Sequence, residues 1–303
     1  MAQTETLPIS QARPLGFFER VRRTLDMIKF EHSVFAMPFA FTGALLAWRN
    51  LDFHVDAPWL KLFYIVLAML GARSAAMTFN RILDAAIDAK NPRTSTRHIP
   101  SGQLSRRFAW GFLSASSCLF FVASALLNPL CLILSPLALA IVLFYSYTKR
   151  FTAFAHLVLG LSLGIAPSAA WIAVTGTLDP RITLLSFAVM LWTAGFDIIY
   201  ACQDEAFDRR EGLFSLPARL GVARALQLSR VFHVVTVMAL GALSLSFGLV
   251  PWPVLPVAAL LIYEHSLVRP DDLSKVDVAF FTINGFLGIT YFAGMAIEVF
   301  RNV

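Results

Sequence analysis

The fold is decided by residues 108–148, FAWGFLSASSCLFFVASALLNPLCLILSPLALAIVLFYSYT, a run that contains no charged side chain. A bilayer core about 30 Å thick is crossed by roughly 20 apolar residues in a helix, so this run is too long for one crossing. Asn128 and Pro129, near its middle, supply a turn. The run is therefore predicted to form two membrane-spanning helices joined by a tight connection.

The composition extends this interpretation to the whole chain. Of its 303 residues, 57% are hydrophobic and 15% are charged, and the mean hydropathy is +0.68. A soluble domain carries about 25% charged residues, and a disordered chain has low hydrophobicity, so both classes are excluded. We predict an all-α polytopic membrane protein with nine spanning helices, at about residues 32–48, 60–88, 107–127, 130–148, 154–175, 182–204, 225–249, 251–268 and 277–300.

The domain organisation follows from these spans. Residues 1–31 are predicted to be a basic, amphipathic N-terminus on the cytoplasmic side, and residues 32–303 one transmembrane domain. Recurring motifs divide that domain into halves at about 32–148 and 154–268, two pseudo-repeated four-helix bundles, with a ninth helix at 277–300.

The basic residues predict the orientation. Nineteen of the 25 Lys and Arg lie in the N-terminal segment and in every second connection after it, whereas four lie in the alternate connections and at the C-terminus. We predict an integral protein of the cell (inner) membrane. Because cytoplasmic loops carry the excess of Lys and Arg, the N-terminus is predicted to lie in the cytoplasm and the C-terminus on the outer side of this membrane. The same rule explains the net charge of +6 without a nucleic-acid partner, and no obligatory protein partner is evident.

Two sets of polar side chains end the second and the sixth predicted helices, in NRILDAAID (80–88) and YACQDEAFD (200–208). Each set repeats every four residues: Asn80, Asp84 and Asp88 in the first, and Tyr200, Asp204 and Asp208 in the second. That spacing places each set on one helical face. Four crossings separate the sets, so both return to the cytoplasmic side and are predicted to face one another across a cavity.

The chemistry of these sets suggests a metal-bridged diphosphate site. Neighbouring carboxylates repel one another, and a divalent cation removes that penalty; ligands that are all oxygen suit Mg²⁺. Basic residues follow or share the same side, and arginine matches phosphate oxygens: Lys90, Arg93, Arg97, Lys149, Arg150, Arg209 and Arg210. Since the site opens into an apolar membrane cavity, its diphosphate is expected to carry a lipid tail.

Arg73 lies two helical turns before Asn80 on the same face. It is either a structural partner for an acid such as Glu31 or Asp197, or an anchor for the anionic group of a second substrate.

Taken together, these motifs resemble the UbiA superfamily of intramembrane aromatic prenyltransferases over about residues 25–300. The family pattern N-x-x-x-D-x-x-x-D with R-T-x-x-R is matched by Asn80, Asp84, Asp88, Arg93, Thr94 and Arg97. The stretch Y-x-x-x-K-R-x-T followed by L-G-x-x-x-G is matched by Tyr145, Lys149, Arg150, Thr152, Leu159, Gly160 and Gly164. The pattern D-x-x-Y-x-x-x-D-x-x-x-D is matched by Asp197, Tyr200, Asp204 and Asp208, with Gly212, Ser215 and Gly221 fitting its trailing loop.

The resemblance implies Mg²⁺-dependent transfer of a polyprenyl group from polyprenyl diphosphate to an aromatic acid in ubiquinone or menaquinone biosynthesis. By carry-over, the catalytic and metal-binding residues are Asn80, Asp84, Asp88, Asp204 and Asp208. The substrate-binding residues are Arg73, Arg93, Arg97, Tyr145, Lys149, Arg150, Asp197 and Tyr200. Arg73 stands where hydroxybenzoate-type members carry an arginine near the acceptor.

Three departures bear on the acceptor: Arg81 where an Asp often follows the motif Asn, Lys29-Phe30-Glu31-His32 at the entry to the first helix, and His98 after Arg97. The chain looks most like the UbiA-like, MqnP-like subgroup, so 4-hydroxybenzoate and 1,4-dihydroxy-6-naphthoate both stay open as acceptors. The alternatives are prenyl transfer to haem or a chlorophyllide, and a cation transporter whose acidic residues select the ion.

Overall fold

The computed structural model describes residues 16–28 and 35–301. Residues 1–15, 29–34 and 302–303 lie outside the described residues, and with them fall Glu31 and most of the predicted N-terminal segment. Within the described ranges the α-helices are α1 (Phe17–Ile28), α2 (Met37–Asn50), α3 (Pro58–Asp88), α4 (Arg106–Leu127), α5 (Pro129–Thr148), α6 (Ala155–Thr175), α7 (Ile182–Ala201), α8 (Glu205–Glu211), α9 (Leu216–Leu220), α10 (Val222–Ser246), α11 (Val254–Ser266) and α12 (Asn284–Arg301). A 3₁₀ turn, Cys202–Asp204, precedes α8, and a π-helical turn, Val278–Ile283, precedes α12.

The all-α membrane fold is confirmed. In the part of the chain that the structure describes, seven helical segments are long and apolar enough to cross a membrane. The two remaining predicted spans contain shorter helices, α2 with 14 residues and α11 with 13. A count of nine crossings therefore stays a prediction, although a helix lies at each of the nine predicted positions.

The connection predicted at residues 128–129 is a capped turn. Asn128 Oδ1 accepts a hydrogen bond from the backbone N–H of Cys131, and Pro129 takes the first position of α5. These are the residue types that N-caps and first helical positions favour. Asn128 Nδ2 also donates to the carbonyl of Ile172 at 2.8 Å, so the turn is tied to the end of α6.

The spanning helices pack as a closed ring. Helices α3, α4 and α5 contact one another, and α5 and α3 contact α6; from there contacts run through α7, α10, α11 and α12 to α2, which returns to α6. Helices α6 and α7 approach closely at Gly160, which has no Cβ; a Cβ there would overlap the carbonyl of Met190. Since α2 packs mainly on α6 and α12, contacts cross the predicted division into halves, and that division stays a prediction.

At the end of the bundle predicted to lie outside, three cations bind backbone carbonyls or a neighbouring acid. Arg49 donates to the carbonyl of Phe247 at 2.7 Å, and Lys61 donates to that of Val174 at 3.0 Å. Both acceptors lie in the last turn or at the cap of a helix, where carbonyls lack intrahelical donors. Arg181 pairs with Asp179 at the start of α7. These charges close the ends of helices.

A buried polar network joins α7, α10, α11 and α12. Trp192 Nε1 donates to Asn284 Oδ1 at 2.7 Å, and Asn284 Nδ2 donates to Glu264 Oε1 at 2.9 Å. His233 Nδ1 lies 2.9 Å from His265 Nε2 and 3.6 Å from Glu264 Oε2. Glu264 and Asn284 have no exposed surface. Since buried polar groups are costly when unpaired, this network fixes how the four helices meet.

Candidate functional site

The first motif ends the 31-residue helix α3, and its aspartates are almost inaccessible. The side chain of Asp84 is 1% exposed. Asp84 accepts from Asn80 Nδ2 at 3.0 Å, from Lys149 Nζ at 2.5 Å and from Arg150 at 2.9 Å. Lys149 and Arg150 follow α5, so the end of α5 supplies the charge that a buried carboxylate requires.

Asp88 is neutralised by the turn that follows α3. Arg97 donates through one guanidinium nitrogen to both carboxylate oxygens, at 2.7 and 2.9 Å. The hydroxyl of Thr94 donates to the backbone carbonyl of Asp88, which folds the turn back onto the end of the helix. The R-T-x-x-R stretch therefore lies against the motif that precedes it.

The same turn reaches across to the second motif. Arg93 donates to both oxygens of Asp204, and its third nitrogen donates to the hydroxyl of Tyr200 at 3.0 Å. Asn91 Nδ2 donates to Asp204 Oδ1 at 3.3 Å. Burial opposes the charge on Arg93, but its hydrogen bonds and attraction to Asp204 outweigh burial and raise the pKa of Arg93.

Asp208 completes the second motif and lies in α8. It lies within electrostatic reach of Asp204 and Lys149 and beside Ser215. The backbone of the second motif differs from prediction, because the chain tightens into the 3₁₀ turn at Cys202–Asp204 before α8 begins. The regular step of four residues per face is therefore interrupted between Tyr200 and Asp208.

We call the resulting group the charge ring. Its members are Asn80, Asp84, Asp88, Arg93, Arg97, Lys149, Arg150, Tyr200, Asp204 and Asp208. The structure thus brings both motifs to the same end of the bundle. Arginine and lysine side chains pair with the acids here. Among the described residues, His, Cys, Asp and Glu side chains do not gather in groups of three or more.

Three of the predicted basic residues do not belong to the charge ring: Lys90, Arg209 and Arg210. Arg209 pairs with Glu205 one turn away at 2.6 Å, and Arg210 stacks over the ring of Phe207. Lys90 pairs with Glu211 at 2.9 Å near the surface, which adds a second bridge between the two motif loops. Proximity in sequence to Asp208 therefore did not indicate which cations serve the site.

The sequence singled out neither Asn91 nor His156 as a site residue. Asn91 is 7% exposed and links the turn after α3 to Asp204. His156, at the start of α6, bonds Asp197 at 2.6 Å. Asp197 was predicted to bind substrate or to pair with Arg73; its observed partner is this buried histidine. No periodic pattern surrounds either residue, and their roles emerge only from the folded contacts.

An apolar cavity of about 590 Å³ lies between α3, α5 and α6, with residues of α4 and α7 completing its wall. Tyr145, one turn before Lys149, lines it and lies within electrostatic reach of Asp84. Among the described residues of the wall, Arg73 is the one charged side chain. The cavity therefore has an apolar wall with one cation, and it adjoins the charge ring at Tyr145.

Comparison with known proteins points to one family. Residues 36–286 match the UbiA prenyltransferase family. The chain is 30% identical over 243 residues to a 4-hydroxybenzoate octaprenyltransferase of Photobacterium profundum, a match that covers 78% of this chain and 83% of that protein.

Solved structures show the same fold. The apo structure of a UbiA homolog from Aeropyrum pernix K1 is 34% identical and aligns with a TM-score of 0.79 over 88% of this chain and 98% of that one. A UbiA homolog from Archaeoglobus fulgidus bound to GPP and Mg²⁺ aligns with a TM-score of 0.71 over 91% of this chain and 99% of that one, at 20% identity. At that identity the likeness concerns the fold alone.

Proposed function

The chain belongs to the UbiA prenyltransferase family, and we propose that it transfers a polyprenyl group from polyprenyl diphosphate to an aromatic acid, with Mg²⁺ as cofactor. As a member of that family it is a prenyltransferase; the donor, the acceptor and the residue roles are the proposal. The acceptor is 4-hydroxybenzoate or 1,4-dihydroxy-6-naphthoate, which places the product on the route to ubiquinone or menaquinone.

The observation that carries the proposal is the contact between the charge ring and the apolar cavity. A polyprenyl diphosphate has a charged head and a hydrocarbon tail. The two environments adjoin because Tyr145 and Ala76 line the cavity one helical turn before Lys149 and Asn80 of the charge ring. The ring offers hydrogen-bond donors that suit phosphate, and the cavity offers a wall that suits an isoprenoid. Four basic side chains beside the acids would repel a transported cation, so this arrangement does not favour a cation transporter.

The donor set fits Mg²⁺. Asn80, Asp84, Asp88, Asp204 and Asp208 present oxygen ligands only, which this hard cation prefers. Each carboxylate of Asp84, Asp88 and Asp204 now holds a lysine or arginine, and those cations are themselves phosphate ligands. If a Mg²⁺-bound diphosphate occupied the site, Asp84, Asp88 and Asp204 would supply oxygen ligands to the metal, and Lys149, Arg97 and Arg93 would supply donors to the phosphate oxygens.

Within this site the chain's own residues stabilise the leaving group. When bound, Mg²⁺ supplies neutralisation of the diphosphate as the allylic C–O bond breaks. Lys149, Arg93 and Arg97 donate hydrogen bonds to the oxygens that receive the bonding electron pair. The apolar cavity wall excludes water from the allylic cation, and an electron-rich ring carbon beside the phenol then forms the new C–C bond and loses its proton.

Arg73 supports a carboxylated acceptor. It is placed in the apolar cavity wall, so a carboxylate there would meet a cation in a low-polarity environment. The Photobacterium relative is named for 4-hydroxybenzoate, which carries such a carboxylate opposite its phenol.

The test is an assay of purified protein with geranyl diphosphate, Mg²⁺ and either aromatic acid. We expect pyrophosphate release only when the diphosphate and an acid are both present, and a prenylated acid by mass spectrometry. Pyrophosphate release independent of any acceptor, or ion flux in proteoliposomes without chemistry, would contradict the proposal. The ratio of kcat/KM for the two acids assigns the acceptor.

The same proposal places the charge ring at the cytoplasmic face of the inner membrane, with the C-terminus outside. The supporting observation is the distribution of Lys and Arg among the connections. Alkaline phosphatase fused after residue 303 should be active in intact cells, whereas the same enzyme fused within residues 89–105 should not; the reverse pattern would invert the orientation.

A further inference from the structure

His156 has two hydrogen-bond partners on different elements. Its Nδ1 lies 2.6 Å from Asp197 Oδ2 on α7, and its Nε2 lies 3.3 Å from the backbone nitrogen of Leu216 at the start of α9. The ring is 4% exposed. Because a backbone N–H only donates, Nε2 must accept, which leaves the ring proton on Nδ1, directed at the carboxylate. The contacts thus specify a neutral imidazole with one tautomer.

The segment that His156 holds is the loop after the second motif. Leu213 N–H donates to the carbonyl of Asp208 and Phe214 N–H donates to that of Lys149, both at 2.8 Å. Ser215, which lies beside Asp208, accepts from Ala218 N–H and is the N-cap of α9. Leu216 is the next residue. The loop is therefore attached at Asp208, at Lys149 and at His156, and two of these attachment points belong to the charge ring.

We propose that His156 is a positioning residue that ties Asp197 to the loop at residues 212–216 and thereby fixes Lys149 and Asp208 for binding of the diphosphate head. The proposal rests on the proposed function and adds to it a residue that contacts neither substrate. Its one side chain offers a donor to α7 and an acceptor to the loop. Loss of either hydrogen bond would break the link between α7 and the loop.

The first experiment measures the loop itself. Hydrogen exchange of the peptide over residues 212–221 should speed up on the order of tenfold in His156→Leu, since the N–H of Leu216 loses its acceptor. In His156→Gln it should stay near wild type, because an amide supplies one donor and one acceptor. His233→Leu is the matched control: His233 is 2% exposed and hydrogen-bonded, but its partners lie on α11 and α7 and not on the loop.

The second experiment separates positioning from general stability. With geranyl diphosphate and Mg²⁺, His156→Leu should raise the KM for the diphosphate by about tenfold, leave the KM for the aromatic acid unchanged, and be rescued by Gln. His233→Leu should lower the melting temperature without that KM change.

Three outcomes would overturn the proposal: wild-type exchange of the loop in His156→Leu, an unchanged KM for the diphosphate, or failure of Gln to rescue either readout. Failure of the proposed function would look different. In that case the wild-type protein would release no pyrophosphate with any acid, while the exchange difference between Leu and Gln at residue 156 would persist.

Discussion

The two acidic motifs share a spacing but differ in structure. The first lies in one continuous helix, where the Asp84 and Asp88 side chains are 1% and 5% exposed. The second crosses a 3₁₀ turn, and its Asp204 side chain is 19% exposed. The cations that neutralise both come from the turn after α3 and the end of α5, whereas Arg209 beside the second motif pairs with Glu205.

The backbone of the first motif is therefore held by its own helix, whereas the second motif is held by side chains from other elements. Asp84 and Asp88 are fixed by their own helix, while Asp204 is fixed by Arg93 and Asn91 and the loop after Asp208 is fixed by His156. Because the two motifs are held in different ways, substitutions in them should differ in the size of their effects, and the following experiments measure those effects.

The largest effect is expected from removal of a motif carboxylate. Asp84→Asn and Asp204→Asn should each lower kcat by at least about a thousandfold with expression retained, since each removes charge that binds Mg²⁺ and leaves half-buried cations without their acid. Asp84→Asn should be the more severe because its side chain is the more buried. Assay of both in detergent with excess Mg²⁺ gives the ranking, and full activity of both would contradict the metal assignment.

A smaller loss should follow removal of one ring cation. Lys149→Gln should lower kcat by about a hundredfold, because it removes a donor to the departing diphosphate and one of the two cations that pair with Asp84. Arg209→Gln is the matched variant from the other motif and should stay within about twofold of wild type. Equal losses would show that the second motif supplies its own cations after all.

Arg73 lies outside both motifs and should affect only the acceptor. Arg73→Ala should raise the KM for the aromatic acid by about tenfold, the loss of one charged hydrogen bond, and leave the KM for the diphosphate unchanged. Steady-state kinetics with each substrate varied in turn provides the measurement. A change confined to the diphosphate would assign Arg73 to the charge ring instead.

The packing of α6 against α7, the helix that leads into the second motif, offers a structural variant. In Gly160→Ala the new methyl group would overlap the Met190 carbonyl, so α7 must shift, at a cost of about 1–3 kcal/mol of stability. Gly241→Ala in α10 meets no atom within 4 Å and should leave the melting temperature unchanged or slightly higher. Similar melting curves for both variants would indicate that α6 and α7 pack more loosely than described.

The smallest effect concerns the opposite end of the bundle, where Asp179 accepts hydrogen bonds from Arg181. Those bonds lower the pKa of Asp179 below its ordinary value of 3.8, so its contribution to stability is present above that pH and is lost as the pH falls. Asp179→Asn should lower the melting temperature by about a degree at pH 7, and the difference should disappear near pH 3. Activity should not change; a pH-independent difference would contradict the ion pair.

Much of the fold could be predicted from the sequence because its signals are local. An uncharged run of helical length, and the Asn128-Pro129 turn, determine helices one at a time. That the two motifs meet followed from counting crossings. The seven clear spans match those expectations, while α2 and α11 fall short because their apolar runs are interrupted or brief.

The partners within the site could not be predicted because they depend on how turns fold. Arg93 and Arg97 are four residues apart, yet one reaches Asp204 and the other Asp88. His156 is a single histidine in an apolar stretch, with no spacing that distinguishes it from other buried histidines. The 3₁₀ turn at Cys202–Asp204 contains no Gly or Pro from which it could be predicted.

The buried network around Glu264 has a consequence for how the chain is made. Helix α11 has 13 residues and carries Glu264 and His265, so we expect it to be a poor stop-transfer segment on its own. Asn284, whose amide donates to one carboxyl oxygen of Glu264, is synthesised 20 residues later. We therefore expect stable integration of α11 to depend on α12, so that a chain truncated between the two helices would be degraded faster than the full chain.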